Sequence, residues 1–137
     1  MSPPSSDTAV DAKRFPEIAG IDRERAEVML NGEREFFMEL LRQFVTEYGV
    51  AATRVETLLE QGDRATAAAY LHKVRGTAGY LGVTEVVNAS RELEQAINAG
   101  TGDARALLVG YARAMSSLLA AAAPWIGNAR PQTGNGT

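Results

Sequence analysis

The sequence predicts an all-α protein, an antiparallel up-down four-helix bundle with an additional short helix at its N-terminus. Three observations carry this expectation. Apolar residues recur three and four apart through the middle of the chain, and no stretch alternates with the period of a strand. Helix-capping residues precede the periodic segments, and glycines follow them. The turns so marked are short, and brief loops between long helices make neighbours antiparallel.

The first helix is predicted over residues 22–30, with Asp22 as its N-cap and Asn31-Gly32 as its stop. A long helix is expected over residues 33–61, because Phe37, Leu41, Phe44, Tyr48, Ala51, Val55 and Leu58 alternate spacings of four and three. Gly62-Asp63 ends it and caps the next, which reaches Leu81 before Gly82. Thr84 is the expected cap of the following helix, whose inward residues are Val86, Ser90, Leu93 and Ile97 and whose stop is Gly100. Asp103 caps the last helix, with a stripe of Leu108, Tyr111, Met115, Leu118, Ala122 and Trp125; Pro124 is expected to fray or kink its final turn. Residues 1–20, with Pro3, Pro4 and a Ser/Asp/Thr cluster, read as a flexible leader or linker, and residues 127–137 as a disordered tail, leaving the bundle at 21–126.

With 137 residues the chain suits one domain with one core. A net charge of -3 and a pI near 5.2 argue against nonspecific nucleic-acid binding, which needs a broad basic surface. The sequence reading finds no apolar run of the roughly 20 residues that cross a bilayer, and no basic start followed by an apolar run to mark a signal peptide. Cysteine is absent, so disulfides and thiolate chemistry are excluded. A reducing, cytoplasmic setting is expected.

The third helical segment, residues 63–82, departs from ordinary helix composition. At about 100° per residue, Ala67, Tyr70, Leu71, Val74, Ala78 and Leu81 gather on one side. His72, the only histidine, points nearly opposite. Arg75, Gly76 and Gly79 are read on its face, with Ala65, Ala68 and Ala69 one or two turns earlier. Each glycine inside a helix costs roughly 1 kcal/mol relative to alanine. Close helix packing is one reason to keep such residues, and Gly79 suits it. Their clustering around a histidine on the face away from the apolar stripe favours another: an imidazole left clear for something as wide as a second protein. Between residues 64 and 84 the charged side chains are Arg64, Lys73 and Arg75, all basic, in a chain that is acidic overall. Three cations alone would suit an ordinary solvated face. Arg75, however, stands one turn from His72, where a guanidinium can offer phosphate oxygens paired donors.

An imidazole titrates near neutrality and can form covalent intermediates. Attack of a ring nitrogen on phosphorus gives a phosphoramidate labile enough to be passed on, and phosphoryl transfer depends chiefly on positioning and electrostatics. Other duties fit less well. One histidine without cysteine makes a poor metal site, and no metal is expected. No nucleophile-elbow pattern accompanies a Ser-His-Asp arrangement.

The run Leu71-His72-Lys73-Val74-Arg75-Gly76-Thr77-Ala78-Gly79-Tyr80-Leu81-Gly82 resembles the signature of histidine-containing phosphotransfer domains of two-component phosphorelays. That signature is a histidine, a basic residue three later, then glycine, and a Leu-Gly pair closing the helix. A weaker likeness spans residues 21–126, including the Asn31-Gly32-Glu33 turn. The resemblance implies His72 as phosphoacceptor, through the ring nitrogen farther from the backbone. It implies Lys73, Arg75, Gly76 and Gly79 as the phosphate- and partner-facing residues. Arg75 departs from the family's usual lysine, keeping the charge with a different geometry. By motif spacing Glu94 falls where many members carry a Gln or Glu that holds the other ring nitrogen; the plainer reading of Glu94 is a solvent-facing carboxylate paired with Arg91.

The resemblance further implies a phosphotransfer intermediate rather than an enzyme, monomeric, with no cofactor of its own. Its partners are a receiver domain of a response regulator, which would hold the Mg2+, or a sensor histidine kinase. Gly76, Gly79 and Gly82 lie in or at the end of a predicted helix and lack the strand-loop-helix setting of a nucleotide loop. It fits a free-standing carrier and also the terminal domain of a hybrid sensor kinase. A competing function is a bundle of the same shape that docks on a receiver or kinase without being phosphorylated.

Overall fold

The computed structural model describes residues 14–126; the tail expected at 127–137 and most of the leader lie outside them. Among the described residues the chain forms six helices: α1 (Arg23–Met29), α2 (Arg34–Tyr48), α3 (Ala51–Glu60), α4 (Arg64–Leu81), α5 (Thr84–Ala99) and α6 (Ala104–Ile126). With α2 and α3 acting as one bent arm, this is the all-α four-helix bundle with a short helix before it.

The helix ends follow local chemistry. Asp22 Oδ1 accepts the Arg25 amide at 3.1 Å, and Asp63 Oδ1 accepts that of Thr66 at 3.2 Å, each satisfying a first-turn donor. Thr84 does not cap α5; Val83 holds that position and Thr84 is already helical. The reason is the preceding turn. Gly82 takes the left-handed conformation (φ 74°), and the Val83 amide reaches back to the Ala78 carbonyl at 3.0 Å, so α4 is closed and α5 opened within two residues.

The long arm is interrupted where the sequence reading has it continuous. α2 ends at Tyr48 and α3 begins at Ala51, with Gly49 and Val50 between them. A glycine followed by a β-branched residue is a weak point in a helix. The Gly49 amide still reaches the Val45 carbonyl at 3.0 Å, so the bend is shallow enough to keep one apolar stripe. Phe37, Leu41, Phe44, Ala51, Val55 and Leu58 are all buried, and Tyr48 is partly so.

α4 and α5 form the most extensive helix pair. Their antiparallel course is pinned at one end by Arg64 Nε, which donates to the Ile97 carbonyl at 3.1 Å and so supplies positive charge at the C-terminus of α5. Val86, Ser90, Leu93 and Ile97 face inward as expected; the Ser90 hydroxyl is satisfied by the Val86 carbonyl at 2.7 Å.

α6 continues through Pro124 to Ile126 instead of fraying before it. Leu108, Tyr111, Met115, Leu118 and Ala122 are buried, but Trp125 is exposed and Ile126 takes the inward place. From Ala122 a step of three or of four serves a helical stripe equally, and the smaller residue is the one enclosed. By length and composition α6 passes as a membrane-crossing helix, contrary to the sequence reading; residues 114–126 carry no charge. In the bundle its stripe lies against α5 and the α2–α3 arm.

The bundle also starts earlier than residue 21. Phe15 and Ile18 are buried in the core, with Phe15 stacked on Phe37 at 4.7 Å between ring centroids. Glu27 of α1 holds this segment: Oε2 accepts the Phe15 amide at 3.1 Å, and Oε1 accepts Arg14 Nη2 at 3.1 Å.

Candidate functional site

The site is built on the outward flank of α4. Ala67, Leu71, Val74, Ala78 and Leu81 lock the helix into the core, which fixes the opposite face toward solvent. Tyr70, expected among them, is only partly buried and meets Tyr48 edge-on at 5.7 Å, with the Arg54 guanidinium over its ring at 5.6 Å. Ala68, expected beside His72, is buried and belongs to the core; Ala65 and Ala69 are exposed. The His72 side chain is 66% exposed.

Around that ring the glycines leave space. A Cβ built at Gly76 or at Gly79 meets nothing within 4 Å. Neither glycine therefore serves a close helix contact, and the packing explanation for Gly79 has no neighbour to act on. Both stay within an unbroken α4, whereas Gly49 marks a break, so the apolar stripe of α4 overrides their poor propensity.

Two side chains converge on one edge of the ring. Arg75 Nη2 lies 2.8 Å from His72 Nδ1. Glu94 Oε2, from α5, lies 3.5 Å from the same nitrogen. Arg75 Nη1 is 3.2 Å from Glu94 Oε1, closing a triangle of contacts. Glu94 is not a solvent-facing carboxylate; its side chain is only 16% exposed and that of Arg75 25%. Oε1 is shielded from solvent and, among the described residues, has the Arg75 charge nearby but no aligned hydrogen-bond donor. Arg91, the plainer reading's partner for Glu94, instead donates to Asn88 Oδ1 at 3.2 Å. Among the described residues, both polar contacts to the ring fall on Nδ1. Nε2 is engaged by neither of them.

Lys73 is not in this cluster. It lies a quarter-turn round the helix from His72 and lines a groove with Tyr48, Arg54 and Tyr70 between α3 and α4. Among the described residues no group of three or more His, Cys, Asp or Glu side chains is placed to hold a metal ion. Sequence reasoning reached His72, Arg75 and Glu94 separately. The sharing of one ring nitrogen between the last two has no signature in the residue pattern, because it depends on how α5 is rotated against α4.

A phosphoacceptor needs an accessible ring, a buttressed second nitrogen and nearby positive charge, and this flank supplies each. A family model described as the Hpt domain matches residues 39–123, more than half of the chain. The chain belongs to the Hpt domain family. The match takes in α4 and α5 whole, with His72, Arg75, Gly76, Gly79 and Glu94, and leaves α1 outside. No curated protein and no solved structure matches the chain. Membership makes this a phosphotransfer module of two-component signalling that works with receiver or response-regulator domains.

Proposed function

We propose that this Hpt domain is a phosphocarrier whose acceptor atom is His72 Nε2. It takes a phosphoryl group from the aspartate of a receiver domain, or from a kinase, and passes it to the aspartate of a response regulator. In the forward step the Nε2 lone pair forms a bond to phosphorus while the P–O bond to the aspartyl carboxylate breaks, its electron pair leaving with that carboxylate. Mg2+ and, where a kinase is the donor, ATP belong to the partner. We assign the domain to the cytoplasm and expect it to act as a monomer.

The observation that carries this reading is the exposed ring beside two glycines with open space, backed on Nδ1 by Glu94. A carboxylate there can hold an Nδ1 proton and offset the positive charge the ring gains on phosphorylation. Arg75 is within reach of phosphoryl oxygens, for which a guanidinium is suited. Gly76 and Gly79 keep the approach clear.

The test is to incubate the chain with a phosphorylated receiver domain and follow acid-labile, base-stable label. Label on the wild type and none on His72→Gln is the expected result. A wild-type chain that stays unlabelled across the receivers of its own source, while still binding one of them, would make it a docking module instead.

A further inference from the structure

The 2.8 Å approach of Arg75 Nη2 to His72 Nδ1 constrains where the ring carries its proton. A guanidinium has five N–H donors and no acceptor, so this contact needs a lone pair on Nδ1. In a neutral imidazole one nitrogen bears the proton and the other the lone pair. With Nδ1 accepting, the proton sits on Nε2. A protonated Nε2 has its electron pair in the ring π system and cannot attack phosphorus.

Glu94 asks for the opposite arrangement. Its Oε2, 3.5 Å from Nδ1, is a carboxylate oxygen and can only accept. It favours a proton on Nδ1, which leaves the Nε2 lone pair directed outward. Two neighbours thus demand different tautomers of one ring, and the shorter contact in the resting domain is the unreactive one. The Arg75–Glu94 pair at 3.2 Å keeps both side chains at the ring edge, so that exchanging one for the other on Nδ1 needs only a small swing of the guanidinium.

We propose that Arg75 is a positioning residue that holds resting His72 in the Nε2–H tautomer, and that phosphoryl oxygens of the incoming donor draw its guanidinium off Nδ1, handing that nitrogen to Glu94. The exchange conserves protons: Nε2 releases one to solvent and Nδ1 takes one up. The freed Nε2 pair then forms the N–P bond as the donor's P–O bond breaks, its electron pair leaving with the donor oxygen, and the Nδ1 proton stays on the ring, hydrogen-bonded to the Glu94 carboxylate. The ring becomes a nucleophile only with a phosphoryl donor present. This inference rests on the phosphocarrier reading for its purpose, although the tautomer itself does not.

NMR of the ring nitrogens in histidine-labelled, unphosphorylated protein reads the tautomer directly. At mildly alkaline pH, where imidazole rings are neutral, the wild type is expected to show Nδ1 as the bare nitrogen and Nε2 as the protonated one. Arg75→Met, which keeps the aliphatic stem, inverts the pattern. Glu94→Ala leaves it as in the wild type, and helical content confirms that each variant is folded. After phosphorylation of the wild type with phosphoramidate, a small-molecule donor, Nδ1 is expected to carry a proton whose exchange with solvent quickens on Glu94→Ala. A resting wild-type ring already protonated on Nδ1, or a pattern unmoved by Arg75→Met, overturns the proposal. Because the resting measurement involves no phosphate, those outcomes leave phosphoryl transfer to His72 standing, and failure of His72 to label leaves the tautomer result standing.

Discussion

The Asp22 amide donates to the Gly82 carbonyl at 2.7 Å, so the cap of α1 is bonded to the residue that ends the histidine-bearing helix. Gly82 has φ 74°, and a Cβ added there would stand 2.5 Å from the Asp22 carbonyl oxygen. The short N-terminal helix is therefore keyed to the glycine that terminates α4, and not merely laid over the bundle.

Gly82→Ala is expected to destabilise the domain by about 2 kcal/mol or more, because the left-handed conformation costs a side chain roughly 1–2 kcal/mol and the clash with backbone adds to it. Gly102, where an added Cβ meets nothing within 4 Å, is the control, and Gly102→Ala should change stability by less than about 0.5 kcal/mol. Urea unfolding of the two variants measures the contrast. Equal stabilities would mean that the Asp22–Gly82 junction yields freely.

Gly76 separates stability from function. Its added Cβ meets open space, and glutamine is a better helix former than glycine, so Gly76→Gln should leave the domain as stable or raise stability by up to about 1 kcal/mol. The same side chain would stand one turn beyond His72 on its own face and obstruct an approaching receiver. Phosphotransfer should fall while the denaturation midpoint holds or rises. Undiminished transfer would show that the open flank has another purpose.

Glu94→Ala is expected to slow transfer to His72 about tenfold, since one charge-assisted hydrogen bond is worth about 1.5 kcal/mol or more and each 1.36 kcal/mol is a factor of ten in rate. Glu94→Gln, whose amide oxygen also accepts from Nδ1, should recover most of the rate. Rapid-quench kinetics with a phosphorylated receiver compares the three proteins. Equal rates for alanine and wild type would confine Glu94 to its ion pair with Arg75.

Much of the bundle is legible in the sequence because its determinants are local. The stripe from Phe37 to Leu58, the caps at Asp22 and Asp63, and the stops at Gly32, Gly62, Gly82 and Gly100 are each decided within one or two turns of chain. What escapes depends on partners far along the chain. Phe15 and Ile18 lie in a segment without periodicity, and their burial follows from Phe37 and Glu27, over ten residues away for Phe15. Ala68 and Tyr70 exchange their expected burial because the orientation of α4 against α3 and α5, and not its own stripe, settles the flanking positions. At the site His72 is marked by its isolation among glycines, whereas the competition at Nδ1 is set by an angle between helices.

The anchoring of residues 14–18 has its own acid signature. The Arg14 guanidinium hydrogen-bonded to Glu27 holds that carboxyl below its ordinary value; partial burial opposes the shift and the Phe15 amide adds to it. A carboxylate whose folded value is depressed contributes stability that is fully present above its unfolded value, near 4.5 for Glu27, and is lost as pH falls through the folded value. Glu27→Gln should therefore cost about 1 kcal/mol at pH near 7, the net worth of the charge-assisted bonds with the exposed Arg14 side discounted for solvent screening. The gap between variant and wild type should stay level down to about pH 5.5 and narrow steadily below about pH 4.5. Urea midpoints measured across that range test it. A gap that persists unchanged into acid would trace the loss to the shape of the glutamine side chain against Phe15 and not to the charge on Glu27.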